Sequence, residues 1–276
     1  MGDNMDYFKL RDDYELFFKE DFIENPKAIV IISHGFAEHF SRYDYFTDSL
    51  NQSGYGVIRY DLRGHGRNKK DLGHIQSFED FILDLEEIYK ETLRSFPSIP
   101  IFLFGHSMGG LITAIFGSKS ALELRGIVLS GPTVGELPSA KKLNRKLVKF
   151  LCKINDKFMI KNPIDKSLCK NEEVYYEYLN DEFVLHKASL RFYYEFLFVG
   201  PDNILKAKDK FSLPVLIIHG EEDKIVPISI SKSFFSSISS RDKTFKEYKS
   251  LYHEILNEKE RDYVIKDIIS WLDNRI

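Results

Sequence analysis

The sequence predicts an α/β fold: a mostly parallel central sheet with helices on both faces and one inserted helical cap. Three observations carry this. Continuous apolar runs at residues 27–33, 56–60, 101–105, 125–130 and 213–220 suit strands buried on both faces. Segments of helical period lie between them, and alternating strand and helix implies a parallel sheet. The alternation stops once, after Pro132, and resumes at Leu213. Residues 133–205 therefore read as a helical cap without strands, and residues 1–132 and 206–276 as the core.

In chain order, residues 6–19 read as a hairpin. Tyr7 to Leu10 and Tyr14 to Phe18 flank the polar break Arg11, Asp12 and Asp13. The run 27–33 leads into His34 and Gly35. Tyr43, Phe46 and Leu50 mark an amphipathic segment that ends at Gly54, and the strand 56–60 ends at Asp61. A long helix spans about 77–95, with Phe78, Phe81, Ile82, Leu85, Ile88 and Leu93 on one face, Ser77 as N-cap and Pro97 beyond it. After the cap come a helix near 228–238, a strand at 244–248 and a final helix near 258–273.

Composition narrows the function classes. The 276 residues are 43% hydrophobic, ample for a core, and the net charge of -3 gives no case for nucleic-acid binding. Two cysteines, Cys152 and Cys169, make no disulfide framework and read as free buried thiols of a reducing compartment. No signal-peptide pattern is visible at the N-terminus, and Gly2 lacks the Ser or Thr of a myristoylation motif. No apolar run approaches the roughly 18 residues of a membrane span. The expected location is the cytoplasm, with peripheral contact at a membrane surface. No H-E-x-x-H, zinc-spaced cysteine pair or phosphate-cradling glycine motif occurs, so neither metal nor cofactor is expected.

The chemistry centres on Gly105-His106-Ser107-Met108-Gly109, between an apolar strand and a small-residue helix start. This G-x-S-x-G pattern is that of a nucleophile elbow, where a tight turn lifts the serine hydroxyl into a cleft. By chance about one chain in ten of this length would contain it. A serine needs a base within hydrogen-bond reach and an acid to orient that base. In α/β-hydrolase topology the order is Ser, acid, His. Of eight histidines only His186, His219 and His253 follow Ser107. His186 falls in the cap and His219 at the end of a buried strand. His253 follows the last strand in a loop and is the expected base. The acid should end the preceding strand, where Asp223 is favoured and Glu222 is second. The oxyanion hole needs two backbone N–H donors, expected from Met108 and Phe36. His34, His39, His65 and His106 are expected to be structural.

With these residues in place the chain resembles the monoglyceride lipase and lysophospholipase-like group of α/β-hydrolases, related to serine aminopeptidase S33-type hydrolases. The resemblance rests on His34-Gly35-Phe36-Ala37-Glu38-His39 with Arg42-Tyr43, Asp61-Leu-Arg-Gly-His-Gly66, Gly105-His-Ser-Met-Gly-Gly110, Gly220-x-x-Asp223 and Tyr252-His253. Lys161 to Asp165 and Asp181 to His186 look like cap segments of that group. It covers about residues 25–275. It implies the α/β-hydrolase fold, Ser107, Asp223 and His253 as triad, and Phe36 and Met108 as oxyanion donors. Ala37 stands where many members of the group carry glycine.

The substrate should be set by the cap. Leu143, Leu147, Phe150, Leu151, Ile154 and Phe158 recur at helical spacing, and Leu147, Leu151, Ile154 and Phe158 are the expected substrate-binding residues. The opposite face carries Lys141, Lys142, Arg145, Lys146, Lys149, Lys153, Lys157 and Lys161. A basic amphipathic helix suits an anionic membrane surface. The same apolar face could instead pack over the active site. Phe192, Tyr193, Tyr194, Phe196 and Phe198 form a second cluster expected in the cap core or the acyl tunnel. The expected reaction is hydrolysis of lipid carboxylic esters, monoacylglycerol or lysophospholipid, through an acyl-enzyme. Short-acyl carboxylesterase, thioesterase and aminopeptidase activities share the triad. A non-catalytic binding protein would be expected to have a broken one.

Overall fold

The computed structural model describes residues 4–119, 122–162 and 166–276. Gly2, and Pro163, Ile164 and Asp165 of the segment 161–165, lie outside the described residues.

The chain opens with the expected hairpin. Strands β1 (Asn4–Lys9) and β2 (Glu15–Asp21) pair antiparallel. Then come β3 (Ala28–Ser33), α1 (Asp44–Gln52), β4 (Tyr55–Tyr60), α2 (Phe78–Ser95), β5 (Ile101–His106), α3 (Met108–Gly117) and β6 (Gly126–Ser130). The stretch after β6 carries α4 (Pro138–Lys141), α5 (Arg145–Ile154), β7 (Met159–Lys161), α6 (Glu172–Asn180), β8 (Lys187–Ser189), α7 (Leu190–Tyr194), one π-helical turn (Glu195–Val199) and α8 (Gly200–Ala207). The chain returns to the sheet with β9 (Val215–Gly220), then α9 (Ile228–Ser237), β10 (Lys243–Tyr248) and α10 (Arg261–Asp273).

Eight strands form one sheet in the order β1-β2-β4-β3-β5-β6-β9-β10. From β4 to β10 every neighbouring pair is parallel, while β2 runs antiparallel to both its neighbours, β1 and β4. Every residue of β3, β4, β5, β6 and β9 is buried, as sheets covered on both faces require. Two apolar layers flank the sheet, one under α2 and α3 and one under α1 and α10. The long helix begins where the sequence places it. The Ser77 hydroxyl accepts the Glu79 N–H, and the Asp80 carboxylate accepts the Ser77 N–H, closing a capping box.

The inserted stretch corrects one expectation. It is not free of strands: β7 and β8 pair antiparallel through Ile160 and Ala188. Each is three residues long and includes a lysine, too short to show a period of two. The apolar recurrence from 143 to 158 is likewise only partly one helix. Asn144 caps α5 by accepting the Leu147 N–H, and α5 stops at Ile154, so Leu143 and Phe158 lie outside it.

This stretch is bolted to the loops at the carboxyl ends of the strands. The Leu185 N–H donates to the Ala37 carbonyl at 2.8 Å, and the Ser189 N–H to the Gly73 carbonyl at 2.7 Å. His39 Nε2 meets Asp181 at 2.7 Å, and the Glu195 carboxylate accepts the Phe78 N–H at 3.0 Å.

Candidate active site

The first side chain is placed by strain. Ser107 follows β5 directly and adopts φ 51°, ψ −114°, a conformation that costs a non-glycine residue on the order of 1–3 kcal/mol. Its neighbours must be glycine. A Cβ at Gly105 would lie 2.5 Å from the Gly109 carbonyl oxygen, and one at Gly109 would lie 2.2 Å from that of Ser33. The turn is pinned by the Ser107 N–H on the Ser130 carbonyl at 2.9 Å and by the Thr133 N–H on the Ser107 carbonyl at 3.1 Å. Met108 opens α3, so its N–H is among those with no acceptor inside the helix.

The loop after β3 comes up to the same serine. A Cβ built on Gly35 would sit 3.3 Å from the Ser107 Cβ. His34 shapes this loop. Its Nε2 accepts the Leu62 N–H at 2.8 Å, so the proton is on Nδ1, which donates to the Gly35 carbonyl at 2.8 Å. Burial then pushes His34 well below the ordinary histidine value. At the next turn Ala37 takes φ 67°, the left-handed region. The glycine of the resembling group has a physical reason here, and alanine meets the requirement at a cost of about 1–2 kcal/mol.

His253 and Asp223 arrive from the other side, on the loops after β10 and β9. His253 Nδ1–H donates to Asp223 Oδ2 at 2.6 Å, with both side chains buried. Asp223 Oδ1 accepts the N–H groups of Ile225 and Val226, both at 2.8 Å, which fixes the carboxylate. Burial opposes its ionisation, but the His253 ring and hydrogen bonds from His219 and His253 outweigh it and hold the carboxyl well below the usual range. For His253 burial lowers the value, while the Asp223 charge and hydrogen bond, with further pushes from Glu254 and Glu38, leave it raised.

Of the residues expected at the site, the structure brings Ser107, Gly35-Phe36, Met108, Asp223 and His253 to the carboxyl ends of parallel strands, where open α/β sheets hold their ligands. Glu222 is exposed, with its carboxylate 3.3 Å from Lys170. His186 is exposed. His106 donates from Nδ1 to the Ser130 carbonyl at 3.1 Å, and His65 packs among Phe36, Phe81 and Phe192. Leu147, Leu151, Ile154 and Phe158 are 53%, 40%, 68% and 58% exposed, an apolar surface rather than a closed tunnel. The buried aromatic set is the second one: the Phe36 ring lies 5.1 Å from Phe192, 5.5 Å from Phe196 and 5.7 Å from Tyr193.

Sequence reasoning missed two partners. His219 sits 3.1 Å from Asp223 Oδ2, with its Nδ1 on the Ser231 hydroxyl at 2.9 Å. Its place four residues before the acid was the available signal. Arg42 joins Glu38 and Glu254 in a buried cluster, signalled only by the carboxylate immediately after His253.

Comparison with known proteins identifies the family. The family model described as serine aminopeptidase, S33, matches residues 24–260. The chain belongs to the serine aminopeptidase S33 family. Phospholipase YtpA from Bacillus subtilis is 32% identical to this S33 chain, covering 92% of it and 98% of the relative. A monoacylglycerol lipase from Mycolicibacterium smegmatis is 29% identical, covering 90% and 89%. Among solved structures, the monoacylglycerol lipase of Paleococcus ferrophilus is 28% identical and superposes with a TM-score of 0.84 over 95% of this S33 chain and 100% of that one. The fold is the α/β-hydrolase fold.

Proposed function

We propose that this chain hydrolyses carboxylic esters of lipids, monoacylglycerols or lysophospholipids, through an acyl-enzyme formed on Ser107. His253 Nε2 takes the serine proton as Oγ attacks the ester carbonyl. Asp223 holds the opposite ring nitrogen and stabilises the imidazolium. The N–H groups of Phe36 and Met108 receive the oxyanion. The alcohol leaves with the proton from His253, and water, activated by the same ring, releases the fatty acid. The observation that carries this reading is the 2.6 Å contact of His253 with Asp223 on loops that converge on a serine strained at φ 51°. The family membership and the lipid-cleaving names of the two sequence relatives support the substrate class.

The inserted stretch is a cap, residues 133–205, and the rest is the hydrolase core. Its aromatic cluster around Phe36 takes the acyl chain. Leu147, Leu151, Ile154 and Phe158 form the apolar face at which lipid first meets the protein, ringed by exposed lysines at 141, 142, 146, 149, 153, 157 and 161. This arrangement suits a cytoplasmic enzyme resting on anionic lipid. Among the described residues no helix is long and apolar enough to cross a membrane.

A hydrolysis panel tests the reading, with labelling by a serine-directed fluorophosphonate. Long-chain monoacylglycerol and lysophospholipid should be preferred over p-nitrophenyl acetate, an acyl thioester and an aminoacyl amide. A preference for the acetate would make the chain a short-acyl esterase. Absence of both labelling and hydrolysis would leave a binding protein.

A further inference from the structure

The two loops that meet over Ser107 come from strands far apart in the sheet. Between β3 and β10 stand β5, β6 and β9, four strand spacings or about 19 Å. Among the described residues no backbone hydrogen bond joins one loop to the other. A side-chain cluster does. Arg42 Nε donates to Glu38 Oε2 at 3.2 Å, and Arg42 Nη2 donates to Glu254 Oε2 at 2.5 Å. Glu38 Oε1 accepts the Gly35 N–H at 2.5 Å and the Tyr43 hydroxyl at 2.7 Å. Glu254 directly follows His253, its carboxylate also accepts Asn257 Nδ2 at 2.8 Å, and its N–H donates to the Leu168 carbonyl at 2.9 Å. The Arg42 guanidinium lies over the Tyr178 ring of α6, 4.6 Å from its centroid.

The side chains of Glu38, Arg42 and Glu254 are 4%, 9% and 4% exposed. The cluster holds two carboxylates and one guanidinium. A purely architectural ion pair has no need of the second carboxylate, whose burial is costly. We propose that Arg42 is a positioning residue that, through Glu38 and Glu254, joins the loop bearing the Phe36 N–H to the loop bearing His253, and that Glu254 keeps negative charge behind the imidazole. The proposal rests on the hydrolase reading above.

The surroundings agree. Facing His253 are Asp223 with His219 against it, the His106 ring at 4.7 Å, and Glu254 and Glu38, the two carboxylates paired with Arg42. His106 is driven well below the ordinary value by burial and is neutral, so it adds no competing charge. Tyr43 and Tyr178 close the cluster, both raised by burial; Asp181, paired with His39, acts on Tyr178, and the buried Glu258 accepts the Tyr252 N–H. Burial and the facing Glu254 carboxylate push Glu38 up to about 7 against the pull of Arg42. Glu254 contributes to the raised value of His253.

The test uses the full chain and a soluble p-nitrophenyl ester, with active protein counted by fluorophosphonate labelling. Glu254→Gln should lower kcat about ten- to a hundredfold with KM little changed, as slight misplacement of a reacting group does. It should also move the acid limb of kcat/KM down by about half a unit to one unit, the effect of one partly screened charge. Glu38→Gln should lower kcat with KM spared. The double variant should lose less than the product of the single losses, because both act through Arg42. Glu254→Asp, which keeps the charge on a shorter stem, should keep the acid limb in place while kcat falls, and it serves if the Gln variant does not fold. Unchanged kcat and pH profile per active site, or losses that multiply independently, would overturn the proposal. A wild type that neither labels nor hydrolyses would overturn the hydrolase reading, and this proposal with it.

Discussion

The central sheet and the stretch inserted between β6 and β9 are both rich in apolar residues, and they dispose of them oppositely. In β3 all six residues are buried. In α5 only Cys152 is buried, while Leu147, Phe150, Leu151 and Ile154 stand 40–68% exposed. The difference separates two jobs. A strand buried on both faces fixes the loop at its end, so Asp223 and His253 meet at 2.6 Å and the Ser107 turn is pinned by backbone hydrogen bonds. An amphipathic helix with an uncovered apolar face leaves surface for something else to cover, and surfaces of this kind mark interaction sites.

The comparison can be broken or sharpened by experiment. The largest effect belongs to the sheet ends. Ser107→Ala should lower kcat by about 10⁶-fold with the thermal transition retained, checked by steady-state kinetics and calorimetry. Full activity in that variant would remove the nucleophile assignment. Asp223→Asn should cost about 10⁴-fold, since the ring would no longer be held in the tautomer that accepts the serine proton. A pH–rate profile reads the same pair more gently. His253 must be neutral to act as base, and its raised value keeps the proton on to higher pH. Activity should therefore rise with pH along an acid limb centred above the ordinary histidine value of about 6.5.

The inserted stretch should respond differently. Replacing Leu147, Phe150 and Ile154 together by Ser should weaken binding to anionic vesicles about tenfold or more, by loss of buried apolar area, and leave hydrolysis of a soluble short ester intact. Sedimentation with vesicles measures the first and a chromogenic ester the second. Equal loss in both assays would show that α5 serves the site rather than a surface. The smallest effect lies where the two regions touch. Ala37→Gly relieves a residue held at φ 67°, so stability should change by less than the full strain of about 1–2 kcal/mol, because glycine also gains entropy when unfolded. Denaturant unfolding reads that balance.

Much of the core was legible because strands buried on both faces leave continuous apolar runs, and strand ends then point to the site. Chain order narrowed the expected triad, and position at a strand end or in a loop then favoured Asp223 over Glu222 and His253 over His186 and His219. The inserted stretch was less legible. Three-residue strands such as β7 and β8 show no period, and an apolar helical face reads the same whether it is covered or bare. The Glu38–Arg42–Glu254 cluster was hidden for another reason: Arg42 and Glu254 are 212 residues apart, and the only signal is the place of Glu254 next to His253.

The sequence by itself determined which residues sit at the ends of buried strands, because hydrophobic periodicity is local and each strand carries its own signal. It also determined the order of serine, acid and histidine. Only the tertiary structure decided which charges gather behind His253, that residue 37 must take a left-handed turn, and that α5 presents its apolar face to solvent. Those outcomes depend on distances between segments remote in the chain, and such distances exist only once the sheet has assembled.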